Sequence, residues 1–176
     1  MKTWRAALAL MLFVLAGCGS VPVQHYRDER PVLDLRRYFD GTIDAWGMFQ
    51  DRSGKVVKRF HVRIDAKWAG DTGTLDEDFE YADGTRSRRV WTITRLDEHR
   101  YRGTAADVVG EARGEAYGNA LRWQYVLNLE VDGKTWEVDF DDWMYLMDDR
   151  VMLNRSVMSK FGVYLGEVTL SFRKRT

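Results

Sequence analysis

The chain has 176 residues, with 27 Lys and Arg against 27 Asp and Glu, two Pro and one Cys. This length fits one domain, and 45% hydrophobic with 31% charged residues is the composition of a globular chain rather than a disordered one. The balanced charge argues against a nucleic-acid partner, and the single Cys excludes an intrachain disulfide framework and a cysteine-cluster metal site.

The N-terminal residues have the pattern of a bacterial lipoprotein signal. Lys2 and Arg5 precede an apolar stretch over 6–16, which is too short to span a membrane but has the length of a signal-peptide core. The stretch ends in the run Leu15-Ala16-Gly17-Cys18, which resembles the lipobox at which a thiol is acylated and the preceding peptide is removed. The sequence therefore predicts a signal peptide over 1–17 and a lipid on Cys18.

The expected partner is consequently a membrane, reached through the lipid anchor. Two or more acyl chains hold a protein stably on a bilayer. Gly19 rather than Asp follows the Cys, which favours the outer membrane, facing the periplasm, in the bacterial cell envelope. Residues 18–32 contain both prolines, Pro22 and Pro31, and predict a semi-extended lipidated tether. The sequence indicates no particular protein partner.

Residues 33–176 predict a single β domain, because their hydrophobic pattern repeats every two residues. Alternation is clearest over Phe60–Trp68, Leu121–Val131 and Trp136–Phe140. Weaker alternation covers residues 42–50, 74–81, 88–96, 100–109, 150–158 and 164–173, with turn-forming Asp and Gly between most of the segments. The stretch 33–39 fits either one helical turn or a first strand.

About eight or nine strands joined by short turns predict an antiparallel up-and-down barrel. A meander removes its two edges most simply by closing on itself. We therefore expect an all-β, lipocalin-like or calycin-like barrel, with an open two-sheet sandwich as the alternative. Polar outward positions such as Arg59, His61 and Arg63 exclude a membrane-spanning barrel, whose outer band must be apolar. The pattern leaves open whether the interior is hollow or filled.

Several runs resemble the bacterial lipoprotein family called domain of unknown function 3833. The most specific is Phe140-Asp141-Asp142-Trp143-Met144-Tyr145, and the resemblance extends over about residues 33–173. It implies a lipoprotein with a lipocalin-like β fold and no established activity. Members of the family tend to be encoded beside lipid-modifying enzymes, which suggests a connection with lipid chemistry. Further matching runs begin at Leu75, Arg89, Gly103, Gly118 and Lys160.

The sequence predicts no catalytic residue, metal site or cofactor. It has no nucleophile elbow and no Gly-rich phosphate loop. The three His are far apart in the predicted elements, and zinc needs convergent ligands. Asp71-Thr72-Gly73-Thr74 spells an aspartic-protease motif, but it occurs once and between two predicted strands, which favours a turn. Gly110, Gly114 and Gly118 favour a flexible connection between strands.

The candidate ligand-binding residues are aromatic and polar side chains within the predicted strands. Asp142 interrupts the alternation of its strand and predicts a bulge or a strand end there. A bulge near the barrel mouth would direct Asp142, Trp143 and Tyr145 towards a ligand, and the alternative is a solvated turn with an aromatic lid over the core. Tryptophan rings could line a cavity around an apolar molecule. Strand-borne polar residues such as Arg89 and Arg155 need partners if they point inward, and a paired buried charge could anchor a head group. The candidates are Trp46, Trp91, Asp107, Arg122, Trp123, Asp142, Trp143, Tyr145 and Asn154.

These features favour a membrane-tethered binding protein for a fatty-acyl or other apolar ligand. One alternative is an enzyme that acts on a lipid through carboxylates such as Asp107 or Asp142. Another is a structural or envelope-interaction lipoprotein with a filled core. A cavity inside the barrel would favour the binding protein or the enzyme over the structural lipoprotein, whose core is filled.

Overall fold

Ten antiparallel strands form a closed barrel in the computed structural model, which describes residues 21–131 and 133–176. Each strand pairs with its neighbours in sequence, and the first strand pairs with the last. The predicted signal peptide over 1–17 and the predicted lipidation residue Cys18 lie outside the described residues. The strands are β1 (Gly41–Asp51), β2 (Val56–Ala69), β3 (Thr72–Tyr81), β4 (Arg86–Arg95), β5 (Arg100–Thr104), β6 (Ala112–Tyr117), β7 (Ala120–Val131), β8 (Lys134–Leu146), β9 (Val151–Lys160) and β10 (Val163–Lys174).

The closed antiparallel barrel confirms the predicted fold class, but the predicted strand count is wrong. Each of the nine predicted segments corresponds to a strand, and the tenth strand is β6, where Gly110, Gly114 and Gly118 predict a flexible connection instead. The predicted fifth segment, 100–109, is also too long, because β5 ends at Thr104. Closure is made by β1 and β10, which pair from Ile43 opposite Lys174 to Asp51 opposite Gly166.

The large ring of Trp123 explains why β6 has no apolar alternation. Its indole, on β7, lies against Gly103 of β5 and Gly114 of β6, and a Cβ atom at either glycine would overlap the ring. The remaining inward positions of β6 are Ala112 and Ala116, both buried. The part of the inner wall that β6 forms is therefore built from small residues, which leave space for the Trp123 ring. Because these residues show no apolar alternation, the sequence of β6 taken alone resembles that of a loop.

A short helix closes one end of the barrel. Helix α1 (Leu35–Tyr38) begins after Asp34, whose carboxylate accepts hydrogen bonds from the backbone N–H groups of Arg36 at 2.8 Å and Arg37 at 3.4 Å. Leu35 and Tyr38 are 1% and 3% exposed, and Phe39 follows them into the core. The stretch 33–39 is thus a helical turn that covers the end of the barrel at which β1 begins.

The segment before α1 packs on the barrel, which differs from the extended tether that the prolines predict for this part of 18–32. Residues Val23–Tyr26 form a 3-10 helix, and Val23 is buried. Gly118, in the turn between β6 and β7, has a positive φ and lies under the Tyr26 carbonyl with no room for a Cβ atom. Burial of Val23 and these contacts hold the segment beside the closed end of the barrel.

Candidate functional site

The interior of the barrel contains a cavity of about 410 Å³. Leu35 and Phe39 form its floor at the end covered by α1. Its lining reaches the opposite end at Lys58, Tyr81 and Val131, close to the hairpin turns that join β1 to β2, β3 to β4 and β7 to β8. The cavity is therefore a cup with one closed and one open end, and its volume lies within the range of roughly 300–1,000 Å³ that small-molecule sites occupy.

The walls of the cup are mainly aromatic and aliphatic side chains, because alternate residues of each strand point inward. Tyr125 on β7 lies between two rings: its centroid is 5.4 Å from that of Trp91 in an edge arrangement and 5.0 Å from that of Phe140 in a stacked one. Trp91 also meets Trp123 edge to face at 5.8 Å. Such a lining favours apolar or ring-bearing molecules.

A cluster of polar side chains interrupts this apolar lining deep inside the cup. It consists of Glu77, Arg89, Tyr125, Asp142, Asn154 and Ser156, contributed by β3, β4, β7, β8 and β9. The Asp142 carboxylate accepts hydrogen bonds from the Ser156 hydroxyl and, at 3.4 Å, from the Tyr125 hydroxyl. The Asn154 side-chain amide donates to the Trp143 carbonyl at 3.3 Å. These partners come from three neighbouring strands, so the cluster depends on the strand register.

Two carboxyl groups of this cluster have raised pKa values. Burial raises the pKa of Asp142 to about 7, although the hydrogen bonds from Ser156 and Tyr125 favour its ionised form. Burial also raises the pKa of Glu77 to about 7, while the positive charge of Arg89 acts in the opposite direction and the charges of Asp107 and Asp142 add to the increase. Both groups can therefore take up or release a proton near neutral pH.

Arg89 connects the cavity to the loop between β5 and β6. Its guanidinium donates to the Asp107 carboxylate from Nε, at 2.9 and 3.1 Å, and from Nη2, at 2.7 Å. The loop, residues 105–111, also bonds to β7, because Asn128 N–H donates to the Asp107 carbonyl and Val109 N–H donates to the Val126 carbonyl. Since β5 and β6 are short, this loop covers the wall between β4 and β7 beside the cavity.

The structure brings four of the nine candidate residues into the cavity lining. Trp91, Trp123, Asp142 and Asn154 lie there. The inward position of Asp142 also shows that the predicted bulge is wrong: β8 pairs with β7 and β9 without a register shift, and Asp142 faces inward in phase with Phe140. A carboxylate at an inward position interrupts the apolar pattern without interrupting the strand.

The other five candidates lie outside the cavity lining. Trp46 is 51% exposed and packs on His61 at the outer surface. Asp107 reaches Arg89 from the loop, and Arg122 pairs with Asp141 on the outer face at 2.7 Å. The outward-facing rings of Trp143 and Tyr145 contact Tyr26 of the N-terminal segment, so burial against that segment explains these aromatics.

Sequence reasoning missed Glu77, Tyr125 and Ser156 as site residues. Glu77 occupies a position of β3 where the alternation calls for an inward apolar residue, two residues after Leu75 and two before Phe79. Ser156 occupies such a position in β9, two residues before Met158. A polar residue in an apolar phase is the signal that would have found both. Tyr125 follows its phase and carries no such signal, because its hydroxyl is significant only beside Asp142.

Within residues 21–131 and 133–176, no three His, Cys, Asp or Glu side chains come together as a possible set of metal ligands. In that same part of the chain, neither helix has the length and apolar character needed to cross a membrane.

The chain matches one sequence-family model and is similar to solved structures of low sequence identity. A family model described as "Protein of unknown function (DUF3833)" matches residues 12–174. No curated protein matches the chain significantly. The S-type phycobiliprotein lyase CPES from Guillardia theta has a TM-score of 0.58 at 8% sequence identity, over 82% of this chain and 94% of the lyase. A de novo designed fluorescence-activating β-barrel has a TM-score of 0.45 at 13% identity, over 81% of this chain and 99% of the designed one. The likeness to the lyase supports a lipocalin-like barrel fold.

Proposed function

The chain belongs to the DUF3833 family, and from this premise we propose that it is a binding protein whose barrel holds an apolar, lipid-like molecule in the cell envelope. The observation that carries the proposal is the cup of about 410 Å³, closed at one end and lined mainly by apolar side chains. Apolar cavities bind apolar molecules because filling them restores dispersion contacts and removes apolar surface from water.

The envelope location rests on the lipobox-like run that ends at Cys18. Only Gly19 and Ser20 separate this residue from Val21 in the sequence, so the chain length limits the attachment point of the lipid to within about 10 Å of Val21. The following segment packs beside the β6–β7 turn at the closed end of the barrel. We propose that the lipid anchors this end at the outer membrane and leaves the open end facing the periplasm.

A neutral apolar probe tests the binding function. N-phenyl-1-naphthylamine fluoresces strongly in apolar surroundings, and we expect the purified protein to bind it with saturation. Val168→Trp adds a large ring to the cavity lining and should weaken this binding by about tenfold or more. Val90→Trp makes the same change at a position 38% exposed and outside the cavity lining, and it should bind like the wild type.

Two further results decide the proposal. Mass spectrometry of the denatured protein is expected to detect a co-purified apolar molecule that is depleted in Val168→Trp. Equal probe binding by both tryptophan variants would place the probe outside the cup and would contradict the proposal.

A lipid-modifying enzyme is the second candidate, favoured by the pKa of about 7 for Asp142 in the cavity. In that case, apolar molecules extracted after incubation should be chemically altered by the wild type and unaltered by Asp142→Asn, which should still retain them. The third alternative, a structural lipoprotein, requires a filled core, and the cavity argues against it.

A further inference from the structure

The charged groups of the cavity lining divide into a mouth set and a deep set. Lys58 and Glu130 lie at the mouth, where the Lys58 ammonium is 4.4 Å from the centre of the Tyr81 ring. Glu77, Arg89 and Asp142 lie deeper. A ligand whose apolar part fills the cup would place its polar head in contact with one of these two sets.

Arg89, the cation of the deep set, already has a carboxylate partner. Two of its nitrogens donate to the Asp107 carboxylate, at distances of 2.7 to 3.1 Å. Asp107 belongs to the covering loop and not to the cavity lining. Arg89 is thus paired with Asp107 from outside the cavity and also interacts with Glu77 inside it. One cation therefore faces the three carboxylates of Glu77, Asp107 and Asp142, and no free cation remains in the deep set to offset the repulsion that an entering anion would meet.

Glu77 and Asp142 retain capacity to accept hydrogen bonds. They lie on β3 and β8, which are opposite each other in the strand order of the barrel, yet the charge of Asp142 raises the pKa of Glu77. Asp142 accepts hydrogen bonds from Ser156 and Tyr125. Among the described residues, Glu77 has charged neighbours but no hydrogen-bond donor to its side chain. An ionised carboxylate offers about four acceptor positions and no donor, so both groups favour a ligand that donates hydrogen bonds.

We propose, on the basis of the binding function proposed above, that the ligand is an elongated apolar molecule with a cationic nitrogen head group that binds between Glu77 and Asp142. A primary ammonium group supplies three hydrogen-bond donors and a positive charge, and it complements two cavity carboxylates that Arg89, already paired with Asp107, does not fully neutralise.

The same geometry gives amine binding a defined pH dependence. A carboxyl group with a pKa of about 7 is about a tenth ionised near pH 6 and about nine tenths ionised near pH 8. An alkylamine, with a pKa near that of lysine, about 10.4, stays protonated throughout. Its affinity should therefore rise by about tenfold between these pH values, whereas that of an alkyl carboxylate should fall.

The other charged groups around Glu77 and Asp142 do not reverse the predicted increase of amine affinity with pH. Asp76, Asp107 and Asp141 are ion-paired with Arg88, Arg89 and Arg122 respectively. Burial holds the pKa of Tyr125 well above its usual value, so this side chain stays neutral over the same range.

Three probes of equal chain length separate the head-group preference from cavity binding in general. Dodecylamine, dodecanol and dodecanoate are titrated into the protein by isothermal calorimetry near pH 6 and near pH 8. We expect dodecylamine to bind about tenfold tighter than dodecanoate near pH 8, and its affinity to rise with pH. Glu77→Gln and Asp142→Asn should each weaken dodecylamine binding by about tenfold and leave dodecanol binding within about twofold.

Glu80→Gln on β3 and Asp141→Asn on β8 are the matched controls, because both side chains lie outside the cavity lining. They should bind dodecylamine like the wild type. Dodecanoate binding as tightly as dodecylamine near pH 8, or dodecylamine binding that both cavity variants leave unchanged, would overturn the head-group inference while the binding function stands. Failure of all three probes to bind would overturn the proposed function and this inference together.

Discussion

At the scale of single residues, Asp142 shows how one buried group can connect stability with binding. The residue is 7% exposed and lies in the cavity lining, and its carboxylate accepts hydrogen bonds from Ser156 and Tyr125. Burial of a charge is unfavourable unless a partner compensates it, which is why the pKa rises to about 7. In the absence of a ligand, the folded protein therefore retains a proton on Asp142 more readily than the unfolded chain does.

This difference gives the free energy of unfolding a predictable pH dependence. The folded pKa of about 7 lies above the ordinary value of 3.8 for an aspartate in an unfolded chain. The stabilising effect of the proton is complete below the lower value and is lost as the pH rises through the higher one. Asp142→Asn removes this loss, so it should raise the free energy of unfolding near pH 8 by about 2 kcal/mol relative to the wild type, with a smaller change near pH 5.

Urea denaturation near both pH values measures the effect. Asp141→Asn, on the outer face of the same strand, should not show a gain that grows with pH. A variant Asp142→Asn that is less stable than the wild type near pH 8 would contradict the prediction.

At the scale of elements, the loop 105–111 replaces the strand pairing that β5 and β6 are too short to supply. Pairing of β4 with β5 begins at Thr92, and pairing of β6 with β7 ends at Gln124, so the adjoining parts of β4 and β7 have no strand between them. The loop spans this gap through the Asp107–Arg89 ion pair and through backbone hydrogen bonds to β7.

We expect Asp107→Asn to loosen the loop, because it leaves a partly buried guanidinium without its carboxylate. The free energy of unfolding should fall by about 1–2 kcal/mol, and the amides of Val109 and Asn128 should exchange faster with solvent. Glu111→Gln in the same loop removes only an exposed pair with Arg102 and is the control. Unchanged amide exchange in Asp107→Asn would show that the backbone hydrogen bonds alone hold the loop.

At the scale of the whole molecule, the pairing of β1 with β10, the seam of the barrel, closes the sheet around the cavity. It joins the first and last strands, which are adjacent in space although most of the chain separates them. Met48 and Thr169 face each other across this seam, and neither lines the cavity. Directly opposed residues of antiparallel strands are close enough for a disulfide.

The double variant Met48→Cys, Thr169→Cys should therefore form a disulfide and raise the free energy of unfolding by about 3–5 kcal/mol, since the bond closes a loop of about 120 residues. Urea denaturation of the oxidised and reduced forms measures the gain, and Met48→Cys with Thr169→Ser is the matched control. Failure of the bond to form under oxidising conditions would argue for an open sheet.

How much could be predicted from the sequence differed between the fold and the site. Alternation predicts each strand in which large apolar residues occupy the inward phase, as in β2 from Phe60 to Trp68. It does not predict β6, whose inward residues are small because Trp123, on another strand, occupies the space. The inward direction of Asp142 follows from the phase of Phe140, and the prediction of a bulge there was the error. The inward Glu77 could have been found by the same argument.

The sequence by itself determined the all-β character of the domain and, to a good approximation, which side chains share a face, because both follow from a period of two along each strand. Only the tertiary structure decided that the interior is hollow and that Glu77 and Asp142 approach one cavity from opposite walls. Cavity volume and contacts between walls depend on the number, tilt and stagger of the strands around a closed barrel, and no local pattern in the chain encodes these quantities.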